Sequence, residues 1–284
     1  MTAIRLNILG AGRAARVVAR WLAATGSVGI GQVANRHLES AHGAVEFIGS
    51  GEVVETISGL QRGDWLLVGL TDRELQSACP GTIEGRPDLA FHLSGCLDSS
   101  CLQGWAPRVA STHPARAFDR SGRASEQMPG TWVTAEGDEE ALEWLQPLFT
   151  EAGAVWRTIE RSQKPLYHGA AVVASNYLVT LTALARDLAQ AAGFEASDAA
   201  GLLSELSGGA LGTLERTEAA QALTGPVERG DLDQICRVHE AMIEARPEAA
   251  SLLSELGLAT LRLARQARGK GSADDAIEAV FTRP

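Results

Sequence analysis

The sequence predicts an α/β N-terminal half built on a doubly wound, largely parallel sheet, followed by an all-α C-terminal half. Three observations predict it. Short apolar runs alternate with helical patterns as far as Thr158, the mark of strand–helix–strand units. The first run, Ile4–Leu9, leads straight into Gly10-Ala11-Gly12-Arg13-Ala14-Ala15 and then a helix-patterned segment, Arg13–Ala24. After about Ser162 the strand signal stops and apolar helical segments take over. The 284 residues are enough for two domains, and the change of pattern puts the boundary near Arg161–Gln163, giving 1–161 and 162–284.

The expected strands are Ile4–Leu9, Gly29–Ala34, Val45–Ile48, Trp65–Leu70, Leu89–Leu93, Val109–Thr112, Trp132–Ala135 and Val155–Thr158. Asp138 is placed to cap a helix over Glu139–Ala152, whose first-turn acids suit the positive helix end. Leu166–Ala192 reads as one long helix, apolar all round in its middle and so expected to be buried on every side. Further helices are expected over Ala196–Leu206, Leu211–Leu223, Leu232–Ala245 and Ala249–Ala267.

Composition narrows the function classes. Hydrophobic residues make up 45% of the chain, and no apolar run has the length expected of a membrane span. A net charge of −10 argues against a nucleic-acid surface. The chain opens directly on a strand, without a signal-peptide pattern, so a cytoplasmic protein is expected. Cys79, Cys96, Cys101 and Cys236 lack metal-ligand spacing and are read as reduced thiols, and no metal site is expected. Of the 25 Lys and Arg residues only Lys164 and Lys270 are lysine. A lysine kept in an arginine-rich chain suits a task arginine cannot do, such as giving up a proton near neutral pH.

The glycine turn has the strand before it and the helix after it that a dinucleotide site needs. Gly10 allows the tight turn, Gly12 lets a pyrophosphate approach the backbone, and Ala15 lets the helix pack on the strand. Arg13, Ala14 and Ala15 open the helix, whose free N–H groups suit an anion, and Arg13 can add to the site of a 2′-phosphate. The second strand ends in Asn35-Arg36, where an acid would bind the ribose of NAD; an arginine suits the 2′-phosphate of NADP(H), which is therefore expected over NAD. Thr71 and Asp72 follow the next central strand and are placed to face the cofactor, with Asp72 read first as a helix cap.

Two further strand ends, Phe91-His92-Leu93-Ser94-Gly95 and Ser111-Thr112-His113-Pro114, each carry a histidine and hydroxyls. His92 is assigned to the cofactor side, and Ser94, Gly95 and His113 to a small substrate. At about 100° per residue, Lys164, His168 and Ser175 fall within about 40° on one helix face, with Asn176 farther round. A lysine beside a carbonyl can donate the proton that accompanies hydride transfer. Thr224-Gly225-Pro226 with Arg229-Gly230-Asp231 interrupts the helical pattern; Thr224 and Arg229 are candidate substrate ligands and Asp231 a cap.

Taken together, Gly10-Ala11-Gly12 with Asn35-Arg36, Phe91-His92-Leu93-Ser94-Gly95, His113-Pro114 with Phe118, Tyr167-His168-Gly169-Ala170-Ala171 with Ser175-Asn176-Tyr177, and Thr224-Gly225-Pro226 with Arg229-Gly230-Asp231 resemble the Rossmann-like proteins carrying a C-terminal domain of unknown function 2520. That family is similar to the 6-phosphogluconate dehydrogenase, pyrroline-5-carboxylate reductase and ketopantoate reductase superfamily. The resemblance implies an NADP(H)-dependent oxidoreductase acting on a small oxo or hydroxy acid, ketopantoate being the specific expectation. It places Ser94-Gly95 as a substrate loop and Lys164 as the catalytic lysine. His168 stands where those enzymes carry an asparagine, so the proton donor is Lys164, His168 or the pair. An imine substrate, a deazaflavin partner and a non-catalytic NADP(H) sensor are the alternatives. The apolar second-half helices add the expectation of a homodimer.

Overall fold

A computed structural model describes residues 4–118 and 128–283. The chain divides into two compact units, Met1–Ala174 and Ser175–Pro284.

The first unit carries an eight-stranded sheet: β1 (Ile4–Leu9), β2 (Val28–Ala34), β3 (Glu52–Val54), β4 (Asp64–Val68), β5 (Leu89–His92), β6 (Arg108–Pro114), β7 (Trp132–Gly137) and β8 (Val155–Thr158). Their order is β3-β2-β1-β4-β5-β6-β7-β8. All neighbours pair in parallel except β6 with β7. The chain winds outward from β1 in one direction and from β4 in the other. The gap between the C-terminal ends of β1 and β4 is thus the switch point where open sheets of this type bind ligands. The helices are α1 (Arg13–Ala23), α2 (Leu38–Ile48), α3 (Asp72–Ser77), α4 (Glu139–Glu151) and α5 (Lys164–Val172). With both faces covered, β4 is buried throughout. Trp65 and Leu67 join the core that includes Val17, Val18, Leu22 and Phe149; Leu66 and Val68 join the opposite core with Leu75, Leu102 and Trp105.

The expected strand at Val45–Ile48 is instead the last part of α2. Ala41, Ala44 and Ile48 recur at helical spacing and are buried, and Gly49 ends the helix at φ 92°. The third strand comes after that turn. Asp138 stands at the start of α4, but its carboxylate accepts from the Val109 backbone N–H at 2.8 Å instead of capping the helix.

In the second unit, α6 (Leu178–Ala191), α7 (Ala196–Leu214), α8 (Ala219–Ala222), α9 (Pro226–Arg229), α10 (Leu232–Ala245), α11 (Ala250–Arg268) and α12 (Asp274–Phe281) follow. The gap expected between the helices Ala196–Leu206 and Leu211–Leu223, which holds Ser207-Gly208-Gly209, does not occur: α7 runs through it, and no atom stands near either glycine's missing Cβ. Ile235, Leu261, Ile277, Val280 and Phe281 form the core. Buried Asp274 joins α12 to α11 through Arg265 and Arg268, whose charged hydrogen bonds, Arg268 foremost, hold its carboxyl down at about 2. Arg268 also donates to the carbonyls of Val227 and Glu228 and so pins the 225–231 loop.

The long apolar helix departs from expectation in two ways. It is broken by a π-helical turn, Val173–Tyr177, whose wider spacing removes the uniform phase that aligned Ser175 with Lys164. It is also far from buried: Leu166 is 81% exposed and Val179 69%, and no residue of α6 is buried. Arg161–Ala191, 31 residues, is by length and composition apolar enough to cross a membrane, against the expectation that no run has that length.

Candidate active site

The switch point is built by close backbone approach. Gly10 has φ 84°, a conformation open to glycine. Its N–H donates to Ala34 O at 2.8 Å, and Gly69 N–H donates to Leu9 O at 2.8 Å. A Cβ on Gly69 would run into Gly10 O and the Ala15 Cβ, so Gly69 and the small Ala15 together let α1 sit against the end of β4. Gly12 is the N-cap of α1, where no side chain caps the helix and no acid stands in the first turn. The N-terminal N–H groups and the positive helix end are therefore left for an incoming anion. The Asn35 side-chain oxygen accepts from Ala11 N–H at 2.6 Å, so Asn35 braces the turn.

A cleft of about 410 Å³ opens here, lined by Gly12, Arg13, Ala14, Ala15, Gly69, Leu70, Thr71, Asp72, Leu93, Ser94 and Phe118. Thr71, not Asp72, caps α3, in a capping box with Glu74. Asp72 is thereby free of that duty, and its charge acts on His92, His113 and Lys164. Exposed Arg36 pairs with Glu74.

On the far wall of the cleft, Ser94 links the turn to the basic cluster. Its hydroxyl accepts from the N–H groups of Cys96 (3.2 Å) and Leu97 (2.9 Å), which shapes the loop. Its carbonyl accepts from Lys164 Nζ at 2.5 Å. Lys164 also donates to Ser111 Oγ at 2.6 Å, and Ser111 donates to the same Ser94 carbonyl at 3.3 Å. Lys164 is 1% exposed. Burial lowers its pKa, while the charges of Glu136 and Asp72, ahead of smaller contributions, work against the fall. Lys164 therefore holds its proton less firmly than an exposed lysine.

His92 is fully buried with both ring nitrogens used. Nδ1 accepts from Ser94 N–H at 3.1 Å, which leaves the proton on Nε2, 3.2 Å from the Asp98 carbonyl. Burial, then the Lys164 charge, bring its pKa to about 4, so it stands neutral as a brace for the 92–98 loop. His113 is also brought to about 4, by burial first and then Lys164. Its Nδ1 lies 2.7 Å from the Tyr167 hydroxyl, and its ring meets that of His168 edge-on at 6.0 Å. His168 Nδ1 is buried without a hydrogen-bond partner. A Cβ on Gly95 would overlap His168 Nδ1 and stand 3.0 Å from His113 Nε2; only glycine lets both imidazoles close on this loop.

The first unit thus brings together Lys164, His168, His113, Ser94, Gly95 and His92 beside a cleft lined by the glycine turn, Thr71 and Asp72. Asn176, Thr224 and Arg229 lie in the helical unit, exposed. There Arg229 reaches Gln234 at 3.5 Å, and Asp231 caps α10 by accepting from Gln234 N–H. Four contributors escaped the sequence reading. Gly69 ends an apolar strand. Tyr167 sits between the two basic residues already singled out. Glu74 stands three residues after Thr71, a legible capping-box spacing. Glu136 is a lone acid in an apolar strand, buried opposite Ser111 in the β6–β7 ladder. Its carboxylate takes the Ser99 N–H and hydroxyl at 2.8 Å each and lies 3.5 Å from Arg161. Among the described residues no cluster of metal ligands occurs.

The fold is similar to that of protein TM1727 from Thermotoga maritima, at 24% identity and a TM-score of 0.73 over 93% of this chain and 99% of that one. It is similar to the candidate NADP oxidoreductase BF3122 from Bacteroides fragilis, at 21% identity and a TM-score of 0.74 over 92% and 98%. It is also similar to 1-pyrroline-5-carboxylate reductase from Streptococcus pyogenes, at 11% identity and a TM-score of 0.61 over 98% and 100%. No curated protein matches the sequence. The fold is that of a Rossmann-type sheet followed by a helical region, and residues 131–260 match the family model of the domain of unknown function 2520.

Proposed function

We propose that this protein is an NADP(H)-dependent reductase of small oxo acids. One observation carries the reading: Ser94 lines the cleft of the glycine turn and, through its carbonyl, holds the buried Lys164. The coenzyme fits the turn, because Gly12 presents no side chain, α1 is uncapped, and Arg36 supplies a cation at the rim for a 2′-phosphate. When bound, the coenzyme supplies the hydride. Gly12, Arg13, Ala14 and Ala15 would hold its pyrophosphate, and Thr71 and Asp72 would border it. Its description as an NADP oxidoreductase makes BF3122 a supporting neighbour.

Lys164 holds a proton at Nζ in a dry setting and, with its affinity for that proton lowered, gives it to an oxygen that gains negative charge. His113, held neutral by burial, and His168 border the same loop and orient a polar ligand, with His168 sharing the proton position. Ser94, Gly95 and His113 are the proposed substrate ligands of the first unit. An oxo substrate becomes an alkoxide and is favoured by a neighbouring ammonium, whereas an iminium already carries a positive charge that Lys164 would repel. The imine reading has the pyrroline-5-carboxylate reductase likeness in its favour.

The exposed apolar residues of α5–α7, Leu166, Val179, Leu206 and Leu214 among them, support a homodimer, and we read the helix spanning 161–191 as subunit interface rather than membrane span. A cytoplasmic setting without nucleic-acid partners belongs to the same proposal. The test is consumption of NADPH against a panel of 2-oxo acids, ketopantoate included, and cyclic imines. Turnover of an oxo acid, lost in Lys164→Ala with NADPH binding retained, is the expected result. Turnover of imines alone would move the reading to C=N reduction, and tight NADPH binding without any turnover would make the protein a sensor.

A further inference from the structure

We propose that Glu74 is a coenzyme-specificity residue: it acts as an internal anion that occupies Arg36 and that a 2′-phosphate must displace. The inference rests on the NADP(H) reading above and adds to it the residue that sets how tightly the phosphate is held.

Arg36 follows β2 and Glu74 lies on α3, which follows β4; β1 stands between those two strands. The Arg36–Glu74 pair therefore crosses the C-terminal end of β1, above the glycine turn. The Glu74 carboxylate also accepts from the Thr71 hydroxyl at 2.8 Å and the Thr71 N–H at 3.2 Å, while the Thr71 hydroxyl accepts from Glu74 N–H at 3.4 Å. This capping box fixes the carboxylate where Arg36 can reach it, and Thr71 itself lines the cleft. Those hydrogen bonds, with the Arg36 charge, keep Glu74 ionised by lowering its pKa. A 2′-phosphate needs the guanidinium that Glu74 holds. Binding NADP(H) is then an exchange of one anion for another, while NAD(H) makes no claim on Arg36. Glu74 thereby reduces the preference that Arg36 creates.

The test is the affinity of NADPH, NADH and adenosine 2′,5′-bisphosphate for the wild-type protein, Glu74→Gln, Arg36→Ala and the double variant, at low and high salt. Glutamine at this position still completes a capping box, so the substitution removes the charge and keeps the helix start. Arg36 is 73% exposed, so the effect is that of a surface pair: Glu74→Gln should tighten NADPH and the bisphosphate by about two- to fivefold at low salt. NADH should bind unchanged. The gain should shrink at high salt and vanish when Arg36 is alanine. Equal NADPH affinity in wild type and Glu74→Gln at low salt would overturn the proposal, as would an equal gain for NADH. Failure of the wild-type protein to bind either coenzyme would instead remove the coenzyme reading, and this inference with it.

Discussion

The two units handle polar groups and apolar surface in opposite ways. The sheet unit buries Asn7, His92, Ser99, Ser111, Thr112, Glu136 and Lys164 among two closed apolar cores. Lys164 and Glu136 draw their partners from distant segments: Lys164 meets Ser94 and Ser111, and Glu136 meets Ser99. The helical unit buries fewer polar groups, His239 and Asp274, and its first two helices bury little: α6 has no buried residue and α7 has Ala199 alone, while Leu202, Leu206, Leu211 and Leu214 are exposed. Buried polar groups are costly unless paired, so a unit that carries several is organised around a task. A unit that leaves leucines in water is organised around another surface. The proposed chemistry accordingly draws on the strand ends and α5, and the proposed association on the helical unit's apolar faces.

The sharpest way to break that division is Lys164→Ala. Loss of a general acid should lower kcat by about 10²–10⁴-fold, with NADPH affinity kept, as read by single-turnover kinetics and titration. A comparable kcat loss from a substitution on exposed α6 or α7 in a protein that stays dimeric would move the chemistry to the helical unit.

Acid should expose the cost of the buried histidines. His92 and His113 have folded-state pKa values of about 4 against an ordinary 6.5. Between those values the unfolded chain binds more protons than the folded one. Stability is therefore highest above pH 6.5 and falls as pH drops toward 4, by up to about 3 kcal/mol per histidine. Urea unfolding across this range should show the slope, and His113→Asn should make it shallower. An unchanged slope in that variant would remove His113 from the account. Next in size is Gly69→Ala. Its Cβ meets backbone and the Ala15 Cβ, so about 1–3 kcal/mol of stability should be lost, together with nucleotide affinity. Wild-type melting would contradict the close approach of α1 to β4.

The smallest effect on folding is expected from Val179→Asp with Leu206→Asp. Both side chains are exposed, so the folded chain should tolerate them while sedimentation shows the proposed dimer dissociating. A variant that keeps the wild-type mass would assign those faces elsewhere.

Much of the sheet unit was legible because its signals are local. Ile4–Leu9 followed by Gly10-Ala11-Gly12 is a strand, a turn and a helix start in one window; in the helical unit Asp231 is likewise a cap readable from its neighbours, whereas α3 is capped by Thr71 and not by the expected Asp72. Val45–Ile48 misled because four residues cannot distinguish a strand from the end of a helix; Ala41 and Ala44, farther back, decide it. Ser207-Gly208-Gly209 misled because glycines lower helix propensity without forbidding a helix. The Lys164–His168 spacing was legible from the helical period. Glu136 and Gly69 were not, because what makes them matter is an adjacent strand or helix: Ser111 opposite one, Ala15 against the other. The exposed length of α6 was misjudged because an apolar helix says that it must be covered, not by which chain.

The central claim is that the turn at Gly10–Gly12, with Arg36 at its rim, receives a phosphorylated nicotinamide coenzyme. Calorimetric titration of the wild-type protein and Arg36→Ala with NADPH and NADH tests it directly. The account predicts tighter binding of NADPH than NADH by the wild type, and a difference that collapses in Arg36→Ala. No heat from either coenzyme, or NADH preferred by both proteins, would contradict it.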